Sequence, residues 1–217
     1  MPSLTLIVAA TVANGIGQAG RLPWRLSHDM AYFARVTTSA PQGSQNAVIM
    51  GRNTWESIPP KNRPLKERAN VIITSNPNYL NDNKPEHSGN VTLKSSLEEA
   101  VSSVTNQSDP TTSLNRIFII GGASVYKRAL DLVASSDNSS QSTAADRILM
   151  TRIFSPAFED CDVFFPEFRE MKAKNATPLW TQASHDELEA WVGGEVPRGK
   201  QQEKGIEYEF QMWTRGV

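Results

Sequence analysis

The sequence predicts an α/β fold of parallel strands joined by helical crossover connections, and three observations carry this prediction. Four short runs are continuously apolar, which is typical of strands that helices cover on both faces. Helix-like segments separate these runs in the order strand, helix, strand, short helix, strand. Near the end of the chain, apolar residues from Ile206 to Met212 alternate with Glu and Gln, which is the period of a half-exposed strand.

The predicted elements follow from these patterns in chain order. The buried strands are residues 4–10, 47–50, 71–74 and 117–120, and the helices are residues 27–37, 96–104 and 124–132. The alternating segment 206–212 is expected to pair antiparallel with 147–153 at the edge of the sheet. Three polar tracts, 106–113, 135–145 and 195–204, are predicted to be surface loops without a function. The whole chain, 1–217, is expected to form one domain.

Composition excludes several classes of partner and site. A net charge of -1 argues against nucleic acid or an anionic membrane as the main partner. The single cysteine, Cys161, excludes an internal disulfide or a multi-cysteine zinc site, and three scattered histidines do not suggest a metal centre. The apolar run 4–10 is too short to span a bilayer and lacks a preceding basic region, so we do not expect a signal peptide. A reducing, cytoplasmic setting is expected.

A carboxylate is predicted on the apolar face of the first helix. Asp29 lies one turn before Phe33 and two turns before Val36, and residues at these spacings share a helix face. No Arg or Lys follows Asp29 at i+3 or i+4, and a buried acid costs several kcal/mol without a partner. Two interpretations stay open: the helix dipole and capping favour an acid in the first turn, or the partner is a ligand.

Three strand ends carry residues suited to binding phosphate. Glycines permit close backbone approach and helix N-termini attract anions, while parallel strands bring their carboxyl ends to one edge. The three ends could therefore face one elongated ligand such as a dinucleotide. Each also fits an ordinary turn or a solvated side chain, and the Walker and Rossmann glycine motifs are absent from the sequence. The ends are Gly51-Arg52-Asn53-Thr54, Thr74-Ser75 and Gly121-Gly122-Ala123-Ser124.

A proline-containing basic segment, residues 57–68, follows the first of these ends. Its prolines favour an ordered loop, and its cations are Lys61, Arg63, Lys66 and Arg68. An arginine fixed on such a loop can bind a carboxylate through two parallel hydrogen bonds. A solvated, charged loop is the alternative that this pattern leaves open.

Together these residues resemble the dihydrofolate reductase family. The matching blocks occur in the family's order over nearly the whole chain, at residues 15–17, 22–24, 29–33, 50–55, 63–65, 121–126, 151–153, 164–167 and 204–208. Longer tracts at 135–145 and 171–204 resemble the larger monofunctional eukaryotic members. The resemblance implies a mostly parallel, eight-stranded mixed sheet flanked by helices. It also implies hydride transfer from NADPH to 7,8-dihydrofolate in one-carbon metabolism, giving 5,6,7,8-tetrahydrofolate, in a monomer that antifolates such as methotrexate inhibit.

The resemblance assigns roles in binding and reducing the substrate. It implies that Asp29 binds the pteridine 2-amino group and N3, and that Thr151 supports Asp29. Trp24 and Leu22 are expected to shape the site where an ordered water, the expected proton donor, approaches N5. Arg68 matches the arginine that holds the substrate's glutamate α-carboxylate. The other residues implied to line the folate pocket are Ile7, Val8, Met30, Phe33, Ile58, Pro59, Leu65, Ile120 and Tyr126.

The resemblance also assigns a cofactor site, with a cis peptide between Gly121 and Gly122. Residues 12–22, which contain three glycines, have the composition of a movable lid. Ser75 and Ser95 replace arginines of many vertebrate members, leaving Arg52, helped by Lys94, for the 2′-phosphate. At the position of Asp29, vertebrate members of the family have Glu, whereas bacterial members have Asp as this chain does. The implied cofactor residues are Ala9, Ile16, Arg52, Asn53, Thr54, Thr74, Ser75, Lys94, Gly121, Gly122, Ala123, Ser124 and Val125.

Two other functions fit parts of the pattern. A riboflavin-pathway reductase also uses NADPH, but its ribosylated pyrimidine does not require both the Asp29 helix and the Arg68 loop. A catalytically silent folate- or nucleotide-binding module would retain the pockets without turnover, and a turnover assay separates it from an enzyme. Whichever function the protein has, burial on the apolar face of the helix is expected to raise the pKa of Asp29.

Overall fold

The computed structural model describes residues 4–82, 91–106, 113–132, 144–173 and 175–216. These residues fall into two compact units, of which the first comprises the described parts of Met1–Leu4 and Thr37–Ala144. The second comprises the described parts of Thr5–Val36 and Ala145–Val217. Within the described residues, none of the helices has the length and apolar character that crossing a membrane requires. The single-domain expectation stays a prediction.

The strands and helices alternate for most of the chain. In chain order they are β1 (Leu4–Thr11), β2 (Gly15–Gly17), α1 (Ser27–Thr38), β3 (Ser44–Gly51), α2 (Arg52–Ser57), a 3₁₀ turn (Pro60–Asn62), β4 (Arg68–Ile73), α3 (Tyr79–Asp82), β5 (Val91–Lys94), α4 (Leu97–Thr105), β6 (Ser113–Ile119), α5 (Ala123–Asp131), β7 (Ala145–Ser155), β8 (Val163–Phe164), β9 (Trp180–Gln182), α6 (His185–Val192), β10 (Gln201–Glu203) and β11 (Ile206–Arg215). Every predicted strand and helix is present. Strands β3, β4 and β6 begin earlier than predicted because most of their first residues are polar and interrupt the apolar pattern.

In the first unit, four parallel strands lie in the order β6-β3-β4-β5. The central residues of β3 are fully buried, as its continuous apolar run predicts. The carboxyl ends of the strands are tied together by backbone hydrogen bonds. The Gly51 N–H donates to the Gly121 carbonyl (2.8 Å), and the Thr74 N–H donates to the Lys94 carbonyl (2.9 Å). All three predicted phosphate-binding ends therefore lie at the same edge of this unit's strands.

In the second unit, strands lie in the order β10-β11-β7-β1, and β9 pairs with β11. The predicted antiparallel pairing of the last strand is confirmed, with Phe210 opposite Thr151 and Tyr208 opposite Ile153. A separate two-stranded sheet joins β2 to β8. Both parallel and antiparallel pairs are thus present, and the predicted α/β class is confirmed.

The polar tracts give a different result. The prediction that the tract 195–204 is a surface loop is wrong for its end, which contains strand β10, and Glu203 of this strand contacts the first turn of α1. The residues before it include a helix, α6, that the sequence analysis missed. The predicted loops 106–113 and 135–145 lie largely outside the described residues, at 107–112 and 133–143.

Candidate active site

Asp29 lies in the first turn of α1 and is buried, with 9% of its surface exposed. Its Oδ1 accepts a hydrogen bond from the Thr151 hydroxyl at 2.6 Å. Thr151 reaches this position because β7 directs it toward the helix while the next residue along the strand points to the other face. The structure therefore brings together the two residues that the resemblance linked.

Burial raises the pKa of Asp29 from 3.8 to about 6. The hydrogen bond from Thr151 opposes this rise, and the negative charge of Glu203 adds to it. A neutral hydroxyl compensates a buried carboxylate only in part, because it brings no opposite charge. Asp29 is consequently an acid that can exchange a proton close to neutral pH, in a setting that favours a cationic or donor-rich ligand.

The second unit also carries apolar residues predicted to line the substrate site. Ile7 and Val8 are buried in β1 and Phe33 is half-buried, whereas Leu22 and Met30 are 54% and 51% exposed. These two residues are available to cover an apolar ligand.

Trp24 is buried and packs edge-on against Phe158, with ring centroids 5.3 Å apart. Within the described part of the chain its indole N–H has no hydrogen-bond partner. Buried tryptophans normally satisfy this donor, so the group is suited to a ligand or a bound water. Phe158, which the sequence analysis missed, fixes the plane of the indole.

The predicted lid, residues 12–22, directly follows β1. A polar network holds its first residues in place. Arg152 Nη1 donates to the Thr11 carbonyl (2.6 Å) and to Asn14 Oδ1 (3.0 Å), and Asn14 Nδ2 donates to Glu167 Oε2 (2.9 Å). Glu167 in turn pairs with Arg169. Burial lowers the pKa of Arg152 to about 10. The hydrogen bonds that Glu167 accepts from Arg169 lower the pKa of Glu167 to about 2. This network anchors one end of the lid.

The middle of the lid is tied down by strand pairing. β2 pairs with β8, and the Ala19 N–H donates to Asp162 Oδ2 at 2.9 Å. A Cβ added to Gly15 would lie 2.6 Å from Cys161 Sγ, closer than side chains tolerate. The glycine is therefore required by close packing, and the predicted mobility of the lid stays a prediction.

In the first unit, Arg68 begins β4 and is buried, with 6% exposed. Its Nε donates to the Lys66 carbonyl (2.8 Å) and its Nη1 donates to the Thr37 hydroxyl (2.7 Å), which fixes the guanidinium plane. Asn70, missed by the sequence analysis, braces the preceding loop by exchanging hydrogen bonds with the Leu65 backbone at 2.9 Å. A guanidinium fixed this way is suited to bidentate binding of a carboxylate.

The other cations of this loop behave differently. Arg63 donates to the Trp55 carbonyl (3.1 Å) and lies over the Trp55 ring, so its role is structural. Lys61 and Lys66 are exposed, as the solvated-loop interpretation predicts. The pocket-lining residues predicted here are half-buried or exposed, namely Ile58, Pro59 and Leu65.

The peptide between Gly121 and Gly122 is cis, as the resemblance implied. A Cβ on Gly121, whose φ is 124°, would lie 3.0 Å from Thr54 Oγ1, and one on Gly122 would lie 3.3 Å from it. Gly122 is the N-cap of α5 and supplies no side-chain cap to its N–H groups. The glycines thus allow Thr54 to pack closely at a helix N-terminus that has no side-chain cap, and such an end binds an anion well. Tyr126 lies buried next to them, and Ile120 is half-buried.

The predicted phosphate ligands lie around the same strand ends. Arg52 is exposed and its Nε lies 3.8 Å from Glu56 in the same helix, while Thr74 accepts a hydrogen bond from the Asn76 N–H (3.2 Å). Ser75 and Asn53 are exposed and Lys94 is half-buried. In the second unit, Ala9 and Ile16 are half-buried.

A cavity of about 280 Å³ adds residues that the sequence analysis missed. It lies between the N-terminal ends of α4 and α5, and two of the predicted cofactor residues, Ser124 and Val125, line it. A serine followed three residues later by a glutamate marks the start of α4 in the sequence, and this pattern could have indicated a second helix N-terminus beside the cavity. In the structure the Ser96 side chain caps α4 by accepting a hydrogen bond from the Glu99 N–H. The remaining lining residues are Ile73, Ser96, Leu97, Glu98 and Arg128.

Comparison with known proteins gives a consistent result. A protein-family model described as "Dihydrofolate reductase" matches residues 3–190. The dihydrofolate reductase of Pneumocystis carinii is 44% identical over 222 residues, which cover 99% of this chain and 98% of the relative. The dihydrofolate reductase of Sus scrofa is 37% identical over 98% of this chain and 97% of the relative. The solved structure of Schistosoma mansoni dihydrofolate reductase matches with a TM-score of 0.72 at 31% identity, covering 99% of both chains.

Proposed function

The chain belongs to the dihydrofolate reductase family, and we propose from this premise that it reduces 7,8-dihydrofolate to 5,6,7,8-tetrahydrofolate with NADPH as the hydride donor. The observation that carries the proposal is the buried carboxylate of Asp29, whose partner Thr151 is neutral. Such a carboxylate favours a ligand that brings donors and positive charge. A pteridine ring brings two donors, and it gains positive charge when N5 is protonated.

Asp29 is proposed to accept hydrogen bonds from the pteridine 2-amino group and N3. As N5 takes up its proton, the carboxylate stabilises the positive charge that develops on the ring, and its apolar surroundings strengthen that effect. The 2-amino group and N3 belong to the pyrimidine ring, whereas N5 belongs to the pyrazine ring. Asp29 therefore acts on the ring's charge, and a water molecule delivers the proton to N5.

Trp24 and Leu22 are proposed to control that water. The indole N–H of Trp24 is buried and lacks a partner among the described residues, so it can orient a water or a polar atom of the substrate. The exposed side chain of Leu22 can exclude bulk solvent when the substrate is bound. Orientation and exclusion of solvent supply much of the rate of such transfers.

The first unit has features that fit a dinucleotide cofactor. Gly121 and Gly122 let the Thr54 hydroxyl pack against the backbone at the N-terminus of α5, where no side chain caps the helix and where pyrophosphate is expected to bind. The nearby cavity, lined by Leu97 and Val125 among others, has the apolar character that a nucleoside requires. When bound, NADPH supplies the hydride that C6 of the substrate receives.

A preference for NADPH over NADH requires cations that bind the 2′-phosphate, and the predicted cofactor site offers only Arg52 and Lys94. Arg52 is the exposed guanidinium at the end of β3, and Glu56 competes for it at 3.8 Å. An exposed ion pair of this kind is weak, so a phosphate can displace Glu56 at little cost. Lys94 is proposed to assist, and the hydroxyls of Thr74 and Ser75 are proposed to donate hydrogen bonds to the 2′-phosphate.

Arg68 is proposed to bind the α-carboxylate of the substrate's glutamate. Its guanidinium is buried, which lowers its pKa and makes an anionic partner favourable. Two hydrogen bonds to Lys66 and Thr37 fix its orientation before a ligand arrives. A fixed guanidinium loses little side-chain entropy on binding a carboxylate.

The site of action is proposed to be the cytoplasm, with the protein acting as a monomer. One cysteine in 217 residues fits a reducing compartment, and a net charge of -1 fits a small-molecule substrate better than nucleic acid. Sedimentation of the purified protein tests the monomeric state.

The test of the proposed reaction is the loss of NADPH absorbance when purified protein is mixed with dihydrofolate, with and without methotrexate. Rapid oxidation that methotrexate blocks supports the proposal. Absence of oxidation, while both ligands still raise the melting temperature, would overturn it in favour of a binding module. Oxidation with a ribosylated pyrimidine and not with dihydrofolate would point to a riboflavin-pathway reductase.

A further inference from the structure

Helix α1, which carries Asp29, begins without a polar cap residue of its own. The Met30 N–H donates to the Leu26 carbonyl (3.1 Å), which makes Leu26 the N-cap. Leucine has no side-chain acceptor, and Leu26 is fully buried in the apolar core. The first peptide N–H groups of α1 therefore need acceptors from elsewhere in the fold.

Glu203 supplies these acceptors from the β10–β11 hairpin. Its Oε1 accepts from the Ser27 N–H at 2.7 Å, and its Oε2 accepts from the His28 N–H at 3.1 Å. The two-residue turn of Lys204 and Gly205 has positive φ at both positions, 52° and 76°, and this turn geometry matches the twist of the strands. The hairpin thereby holds the Glu203 side chain, 11% exposed, against the end of the helix.

The carboxylate of Glu203 lies at the same end of α1 as Asp29 and acts on it electrostatically. Asp29 directly follows the two residues whose N–H groups Glu203 accepts, so both acids lie at one helix end. These hydrogen bonds lower the pKa of Glu203 to about 2, and Glu203 remains ionised throughout the range in which Asp29 titrates. Its charge opposes the ionisation of Asp29 and covers the positive end of the helix dipole, which would otherwise favour that ionisation.

Other polar groups modulate this pair without neutralising it. Lys204 Nζ lies 3.5 Å from Glu203 Oε1 and His28 Nδ1 lies 3.7 Å from Oε2, but both side chains are more than half exposed and therefore screened. The groups that face Asp29 from the packed elements are Thr151 on β7, Tyr32 on α1, Tyr208 on β11 and Glu203 on β10.

We propose that Glu203 is a positioning residue of the reductase reaction, which caps the first turn of α1 through the Ser27 and His28 N–H groups and places a negative charge at the helix end that carries Asp29. This inference rests on the proposed function, because it assumes that Asp29 acts on the substrate. Glu203 acts only through Asp29 and the helix end. It supplies a distant carboxylate where most helices use a local serine or aspartate.

The variant that tests this is Glu203→Gln, which retains the size of the side chain and one acceptor but removes the charge. Glu207→Gln is the matched control, because Glu207 lies on the same hairpin and pairs with Lys200 at 2.8 Å. The first readout is the titration of the Asp29 carboxyl carbon by NMR in the ligand-free protein. We expect the pKa of Asp29 to fall in Glu203→Gln and to stay unchanged in Glu207→Gln.

The second readout is the pH profile of the hydride-transfer rate. In Glu203→Gln the limb that rises with pH, where Asp29 ionises to the carboxylate that stabilises the substrate, should move to lower pH, and Glu207→Gln should not show this shift. In the Asp29→Asn background, Glu203→Gln should leave the profile unshifted, because the residue through which Glu203 acts is gone. A purely structural role would change stability and leave the pH profile in place.

An unchanged titration of Asp29 in Glu203→Gln, or an equal change in Glu207→Gln, would overturn the inference. The NMR titration needs neither substrate nor turnover. If the protein does not oxidise NADPH but the titration shifts as expected, the proposed reaction fails while the coupling of Glu203 to Asp29 stands. If turnover is normal and the titration does not shift, only the role of Glu203 fails.

Discussion

Arg68 carries its charge in a buried position, where its guanidinium is fixed by Lys66 and Thr37. Arg68→Leu should therefore raise KM for dihydrofolate roughly 10- to 100-fold, which is the effect of losing charge-assisted hydrogen bonds. KM for a pterin that lacks the glutamate should change little. Steady-state kinetics with the two substrates measure the difference.

The control for Arg68→Leu is Lys66→Met, which removes an exposed cation from the same loop. It should leave KM for both substrates near the wild-type value. Equal losses for dihydrofolate and the truncated pterin in Arg68→Leu would refute a carboxylate clamp and indicate a general packing defect.

Arg52 is the residue on which cofactor preference is expected to depend. Arg52→Ala should raise KM for NADPH about 10-fold, since one charged contact with a phosphate is worth about 1.5 kcal/mol or more. KM for NADH should hardly change, which narrows the preference. Lys127→Ala, at an exposed cation paired with Asp131, is the control. An unchanged NADPH/NADH ratio in Arg52→Ala would mean that the 2′-phosphate is held elsewhere.

Single residues differ in how far the sequence alone could predict them. Asp29 could be found because a carboxylate on an apolar helix face, without a cation one turn later, departs from ordinary patterning. Glu203 could not be found, because the N–H groups it accepts lie 175 and 176 positions away in a helix with no unusual signal of its own. Arg152 and Glu167 lay inside matching blocks, but their hydrogen bonds to Asn14 and Arg169 depend on the folded backbone.

At the scale of elements, the pairing of β2 with β8 depends on Gly15. Gly15→Ala would place its Cβ 2.6 Å from Cys161 Sγ and 2.8 Å from Cys161 Cβ. We expect this overpacking to cost about 1–3 kcal/mol of unfolding free energy and to slow turnover, because β2 lies within the predicted lid. Urea unfolding and steady-state kinetics measure both effects.

Cys161→Gly supplies the control for this prediction, since it removes the two nearest atoms that the new methyl group would meet and leaves only Thr11 Oγ1, at 3.1 Å. The double variant Gly15→Ala/Cys161→Gly should be more stable than the sum of the single effects implies. Purely additive losses would show that the contact with Cys161 does not explain the glycine.

Elements were predictable where their residues carry a continuous or alternating apolar pattern. Strands β1, β3, β4 and β6 and helices α1, α4 and α5 meet this condition. Helix α6 was missed although Ser184 and Glu187 form a capping box, because the polar tract around it was interpreted as an insertion. Strand β10 was missed because its three residues, two glutamines and a glutamate, show no apolar signal.

For the whole molecule, the α/β class followed from patterning, whereas most roles of the site residues followed only from the family resemblance. The rise in the pKa of Asp29 from 3.8 to about 6 also has a global consequence, because the folded protein holds a proton that the unfolded chain has lost. The contribution of Asp29 to the unfolding free energy should therefore fall as pH rises from about 4 through about 6. Above this range the penalty is on the order of 3 kcal/mol.

Asp29→Asn removes this titration and should be more stable than the wild type at neutral pH, by up to the same amount. Below about pH 4 the two proteins should be equally stable, because Asp29 is then protonated in both states. Urea unfolding at acidic and neutral pH measures the difference, and groups such as Glu167 cancel because both proteins contain them. A stability difference that does not vary with pH would contradict the raised pKa.

The central claim is that Asp29 promotes hydride transfer by stabilising the substrate protonated at N5. Its most direct test is the pH profile of the hydride-transfer rate in the wild type and in Asp29→Asn, with NADPH binding as the check on folding. We predict a loss of roughly 100- to 1,000-fold at neutral pH, the size expected for one electrostatic contact. Partial recovery is predicted in acid, where the substrate arrives already protonated. A variant rate close to that of the wild type at neutral pH would contradict the account.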